Sequence, residues 1–139
     1  MPYDERFITP MRQELTRIGV QEMRTAEEVD STLAESTEPT LLVVNSMCGC
    51  AARNARPGVA MALQQAERKP AKLTTVFAGQ DLEATARARQ YITGYPPSSP
   101  SIALLKDGDV AFMLERHQIE GRSAYDIAAD LAGAFEQHC

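Results

Sequence analysis

The 139-residue sequence predicts an α/β fold, a sheet of mixed direction sandwiched between layers of helix. Three observations carry this expectation. Segments with helical periodicity alternate with short β-branched runs along most of the chain. One of those runs, Thr40-Leu-Leu-Val-Val-Asn45, is apolar at four successive positions, the pattern of a strand buried on both faces. The alternation ends in two strands around Asp107-Gly108, a hairpin signal that adds an antiparallel pair.

Taken in order, Pro10–Ile18 reads as a helix with Met11, Leu15 and Ile18 at i, i+4 and i+7, and Gly19 as its stop. Val20–Met23 is a short edge strand. Thr25 and Glu28 make a capping box that opens a helix to about Ala34, and Ser36–Pro39 breaks the chain. The buried strand Thr40–Asn45 runs directly into Ser46-Met47-Cys48-Gly49-Cys50. A long helix follows, Ala51–Arg68, with Met61, Leu63 and Ala66 on one side and a kink expected at Pro57-Gly58. Lys72–Ala78 is the next strand, and Asp81 caps a helix over Leu82–Ile92. Thr93–Pro100, with its three prolines, is a loop. Ser101–Leu105 and Val110–Leu114 form the hairpin, and Ser123 with Asp126 starts a last amphipathic helix to about Gln137. The order is α-β-α-β-α-β-α-β-β-α. With neither an internal repeat nor a linker-like stretch, residues 1–139 are expected to form a single domain.

Composition narrows the function classes. The chain is 44% hydrophobic and 24% charged with a net charge of −5, values of an ordinary globular protein and the wrong sign for a nucleic-acid footprint. Its opening residues carry charges where a signal peptide needs an apolar core. The longest apolar runs, Val59–Leu63 and Val110–Leu114, fall far short of the roughly 20 residues that span a bilayer. A cytoplasmic protein that binds neither nucleic acid nor membrane is the expectation. Three cysteines, two of them separated by one residue, are a poor disulfide framework and point to redox or metal chemistry.

Cys48 and Cys50 are the candidate catalytic pair. A thiol attacks as thiolate, and Cys48 falls where a buried strand gives way to a helix, whose free N–H groups favour an anion. Arg53 and Arg56 lie within the first two turns, where they either add positive charge or face solvent. Cys50 is the natural resolving thiol, with Gly49 allowing a tight bend between the two. Two other readings stay open. The cysteines could be inert buried side chains, or they could chelate a soft metal ion, for which the chain offers Cys48, Cys50, Cys139, His117 and His138 besides its carboxylates.

The stretch Val44-Asn45-Ser46-Met47-Cys48-Gly49-Cys50-Ala51-Ala52, followed by Ala55-Arg56-Pro57-Gly58, resembles the bacilliredoxin family, as does Met11–Gly19 near the N-terminus. The resemblance covers nearly the whole chain. It implies a thioredoxin-like α/β/α sandwich with an N-terminal helical extension, and an oxidoreductase that removes bacillithiol from S-bacillithiolated proteins, with weak disulfide isomerase activity. Cys48 would take up the bacillithiol; Cys50 or a second thiol would resolve it. Bacillithiol would serve as thiol co-substrate, with no bound cofactor and no metal. The thioredoxin-like fold also implies a cis-proline opposite the cysteines, for which Pro100 is the candidate, with Ser99 pairing with an extended substrate. Asn45 and Gly49 complete the expected substrate-binding set.

The chain departs from ordinary thioredoxins in three ways. Its motif is Cys-x-Cys, it has no Trp, and Leu42 stands where those proteins bury an acid. These departures suit a mixed-disulfide handler better than a general dithiol reductase. Among the remaining residues, Cys139 is a candidate second resolver or frayed-end thiol, His117 a surface residue, and Tyr91 and Tyr95 either groove or core. A monomer or a homodimer fits the sequence equally. A metal-delivery module and a redox-inert adaptor on the same scaffold are the alternatives from other functional classes.

Overall fold

A computed structural model describes residues 2–139. Its five strands are β1 (Gln21–Glu22), β2 (Thr40–Asn45), β3 (Lys72–Phe77), β4 (Ser101–Lys106) and β5 (Asp109–Leu114), in the order β1-β3-β2-β4-β5. β1 and β2 run parallel to β3, whereas β4 is antiparallel to both β2 and β5. The helices are α1 (Glu5–Thr16), α2 (Ala26–Leu33), α3 (Arg56–Gln65), α4 (Leu82–Arg89), α5 (Arg116–Ile119) and α6 (Ala124–His138).

β2 shows why the sheet is covered on both sides. All six of its residues are buried. Leu41 and Val43 pack with Val59 and Leu63 of α3 and Ile127 and Leu131 of α6. Leu42 and Val44 point the other way, to Val29 of α2 and Ala84 and Ala88 of α4. Successive side chains on a strand face opposite sides, so an unbroken apolar run requires a helix layer on each. The result is a thioredoxin-like α/β/α sandwich.

Several boundaries follow local chemistry. Thr25 Oγ1 accepts from the Glu28 N–H at 3.1 Å, and Ser123 caps α6 in the same way through Asp126. Asp107 and Gly108 take φ of 54° and 81°, the left-handed pair a two-residue hairpin turn demands.

Other elements depart from the sequence reading. α1 starts at Glu5 instead of Pro10, because the Asp4 carboxylate accepts from the Arg6 N–H at 2.9 Å and so caps an earlier turn. Its buried face is Ile8, Arg12 and Leu15, and Ile18 is exposed. Hydrophobic periodicity misses this face because a charged residue lies at its centre. Arg12 is 5% exposed and pairs with Glu5 at 2.6 Å, Asp81 at 2.7 Å and Glu22 at 2.9 Å, with its guanidinium 5.4 Å from the Phe77 ring centroid. Asp81 therefore precedes α4 but turns its carboxylate to Arg12 instead of capping the helix. The helix after the cysteines begins with a π-helical turn, Ala51–Ala55, before α3 proper, and ends at Gln65 instead of Arg68.

Gly58 lies where α3 crosses α6. A Cβ there would come within 2.6 Å of Ile127 Cγ2. Gly58→Ala should therefore destabilise the protein by about 1–3 kcal/mol in urea unfolding, and Ile127→Ala in the same chain should recover part of that loss. Additive losses would mean that the helix crossing tolerates the extra methyl elsewhere.

Candidate active site

The site is built where β2 ends. Asn45 is 2% exposed, and its side chain is committed internally. Its Oδ1 accepts from the Ser46 N–H at 2.9 Å and from Arg56 Nη1 at 3.0 Å, while Nδ2 donates to the Met11 carbonyl at 3.4 Å. Asn45 thus lies beneath the cysteine loop as support. Arg56, 3% exposed, also donates to the Ser46 carbonyl at 2.9 Å. Its Nε is 3.1 Å from the Glu14 carboxylate with the N–H directed elsewhere, a charge contact without a hydrogen bond. One of the two arginines following the motif therefore points inward and fixes the loop. The other, Arg53, is exposed and lays its guanidinium over Gly49, within 2.6–3.0 Å of where a Cβ would stand.

Between these fixed ends the two thiols differ sharply. Cys48 is half-buried and Cys50 is buried, the two are not joined by a disulfide, and their sulfurs lie 2.7 Å apart. Burial works against the Cys48 thiolate. The Cys50 thiol, the Ser46 hydroxyl at 3.3 Å and the backbone N–H groups of Ala51 and Cys50 outweigh it, and the Cys48 pKa falls below the ordinary thiol value. Cys50 moves the opposite way. Burial, the shared hydrogen bond and the negative charge of Cys48 hold its proton on, with Arg116 opposing them. The two sulfurs in contact are thus unequal, with the thiolate favoured on Cys48 and the proton favoured on Cys50.

Cys48 opens into a cleft of about 290 Å³. Ser99 lines it, and the Ser99–Pro100 peptide bond is cis, with Pro100 buried at the head of β4. Four lining residues outside the cysteine loop escaped the sequence reading: Tyr3, Ala78, Gly79 and Arg116. Tyr3 arrives because its backbone N–H donates to Gln80 Oε1 at 2.7 Å and its carbonyl accepts from Gln80 Nε2 at 3.1 Å. Arg116 begins α5, a one-turn helix bracketed by a reciprocal Glu115–Gln118 capping box. That capping pattern was a legible signal, but nothing in it foretells a position beside the thiols.

The remaining candidates are dispersed. Cys139 packs against the α3/α6 side of the core near Lys106 and Arg68. Lys106 lies just beyond the Thr40–Leu105 pair, at the far end of β2 from Cys48 and roughly 17 Å along the strand. Cys139 is therefore not assembled with the pair. His117 is 75% exposed. Tyr91 bridges α4 to α2 through Asp30 at 2.8 Å, and Tyr95 is exposed beside the Pro96-Pro97 loop. Among the described residues no three His, Cys, Asp or Glu side chains gather as a metal site. Among the same residues no helix is long and apolar enough to cross a membrane.

A thioredoxin-like sheet that presents an acidified thiol against a protonated one defines a thiol–disulfide oxidoreductase. The family model described as disulphide isomerase matches residues 3–139. The chain is 54% identical to a bacilliredoxin of Salinibacter ruber, across 100% of this chain and 82% of the relative. It is 53% identical to a bacilliredoxin of Koribacter versatilis, across 99% and 94% of the two chains, and 49% identical to one of Bacillus licheniformis, across 99% and 95%. The chain belongs to the bacilliredoxin family.

The pKa directions give a reactivity test. Thiolate appears as pH rises through the pKa, so Cys48 alkylation by iodoacetamide should reach half-maximal rate at a lower pH than an unstructured cysteine peptide does. Cys50→Ala removes a donor to the thiolate and should move that midpoint upward, as should Ser46→Ala. Peptide mapping of the alkylated protein across pH reads all three; a wild-type midpoint at or above that of the unstructured cysteine peptide contradicts the geometry.

Proposed function

We propose that this protein removes bacillithiol from S-bacillithiolated proteins by thiol–disulfide exchange. The observation that carries the reading is the 2.7 Å contact between an accessible low-pKa Cys48 and a buried high-pKa Cys50. Membership in the bacilliredoxin family supports the identity of the thiol.

The chemistry runs through Cys48 first. Its thiolate attacks the bacillithiol sulfur of the client's mixed disulfide. The bond to the client sulfur breaks, and the client leaves as a thiolate that takes up a proton, while Cys48 retains the bacillithiol in a new disulfide. Two routes clear it. Cys50, once deprotonated, attacks Cys48 sulfur, forming a Cys48–Cys50 disulfide and expelling bacillithiol; two electrons from an external thiol reductant then restore the dithiol. Alternatively, a second bacillithiol attacks the bound one, leaves as the symmetric disulfide and regenerates Cys48. Neither route invokes a bound cofactor, since thiols supply the electrons.

Two features favour this over general dithiol reduction. A disulfide across one intervening residue is strained and easily reopened. Buried Leu42 supplies no carboxylate to relay a proton to or from Cys50. The same cysteines could reshuffle protein disulfides at a low rate, in keeping with the description of the family model. The proposal places this chemistry in the cytoplasm, where a reducing thiol pool keeps the pair reduced.

The experiment is intact-mass analysis of the reduced protein incubated with a bacillithiolated client. Wild type should free the client, Cys48→Ser should lose at least about 100-fold in rate, and Cys50→Ser should accumulate bacillithiol on Cys48. Client release by Cys48→Ser at the wild-type rate sinks the proposal.

A further inference from the structure

Arg116 is a cleft residue that exchange chemistry leaves without a role. Its backbone N–H donates to Ser98 Oγ at 3.3 Å and its Nη1 to the Ser99 carbonyl at 3.3 Å, so the guanidinium is held against the loop facing Cys48. Its side chain remains 47% exposed. Nε meets the 61%-exposed Glu120 at 3.1 Å, an i,i+4 surface pair that solvent weakens, and among the described residues Nη2 has no partner.

The rest of the cleft makes this cation conspicuous. Tyr3, Ser46, Met47, Ala78, Gly79 and Ser99 supply small, apolar or neutral polar groups. The charges of the lining are therefore Arg116 and the Cys48 thiolate. The Glu120 hydrogen bond first, and then the thiolate charges of the pair, raise the Arg116 pKa, and Arg116 in turn favours the charged form of Cys50, so its field reaches the two sulfurs. A small thiol whose sulfur is taken by Cys48 must leave its remaining groups in this cleft. A planar fork of N–H donors there matches a carboxylate in shape and charge and repels an ammonium group.

The geometry points to a carboxylate-reading subsite at Arg116: the low-molecular-weight thiol transferred to Cys48 is an anionic one, with its carboxylate seated on the Arg116 guanidinium. This inference rests on the exchange reading for the sulfur step and adds the charge class of the thiol. In that step Cys48 thiolate attacks one sulfur of a disulfide, a Cys48 mixed disulfide forms, and the other half leaves as thiolate.

The test uses full-length Cys50→Ala protein, in which the first step stands alone, and three symmetric disulfides: anionic dithiodipropionate, neutral hydroxyethyl disulfide and cationic cystamine. Adduct formation on Cys48 is followed by intact mass. Adding Arg116→Gln should lower the anionic-to-neutral rate ratio roughly tenfold, the scale of one partly solvated charge pair, and raise the cationic-to-neutral ratio. Arg116→Lys should keep most of the wild-type order, Arg116→Glu should invert it, and added salt should flatten it. Ratios cancel any change in the Cys48 thiolate population. Equal slowing of all three probes by Arg116→Gln, or an unmoved ratio, overturns the inference. Discharge of a thiolated client is measured separately. Charge-ordered adducts without client release would leave this subsite standing and defeat the client reading; client release without charge order would do the reverse.

Discussion

The geometry of the site depends on one buried cation. Arg56 grips the Asn45 side chain and the Ser46 carbonyl from the start of α3, joining the last residue of β2 to the helix that follows the cysteines. Those bonds set both ends of the short segment carrying Cys48 and Cys50. Charge-assisted bonds in a buried setting are strong, and a guanidinium stripped of water cannot easily exchange its partners. The loop is held in place from below, which leaves its upper face open to a substrate.

On that platform, the immediate surroundings separate the chemistry of two identical side chains. Burial raises both thiol pKa values, and the difference comes from what each sulfur touches. Cys48 receives the Ser46 hydroxyl, nearby backbone N–H groups and the Cys50 proton. Cys50 faces the negative charge of Cys48 from a buried position. The two sulfurs are thereby made chemically unequal before any substrate arrives.

The cleft itself comes from segments far apart in the chain. Arg12 draws carboxylates from α1, β1 and the start of α4 into one cluster, seating α1 against the sheet edge. That seating brings residues just before α1 to the turn after β3, where Gln80 holds Tyr3 at the mouth of the cleft. The Ser98–Pro100 loop and the single turn of α5 supply the other wall. The residues before α1 thus help line the cleft, and Arg116 brings its charge to the same cleft as Cys48.

The sequence by itself determined the α/β class, the buried central strand, the hairpin turn and the placement of two thiols where that strand ends. Each is written in local chemistry: an unbroken β-branched run, an Asp-Gly pair that accepts left-handed φ, and two thiols around a glycine at a strand end. Pro100 was legible through resemblance to a known fold. Tertiary structure alone decided which arginine turned inward, that Asp81 serves Arg12 instead of its own helix, and that Tyr3 and Arg116 face Cys48. It also separated Cys139 from the pair by the length of a strand. Periodicity reports how often a residue faces the core. It carries no information on which distant charge a buried guanidinium will find, because that partner is chosen by how elements far apart in the chain pack together.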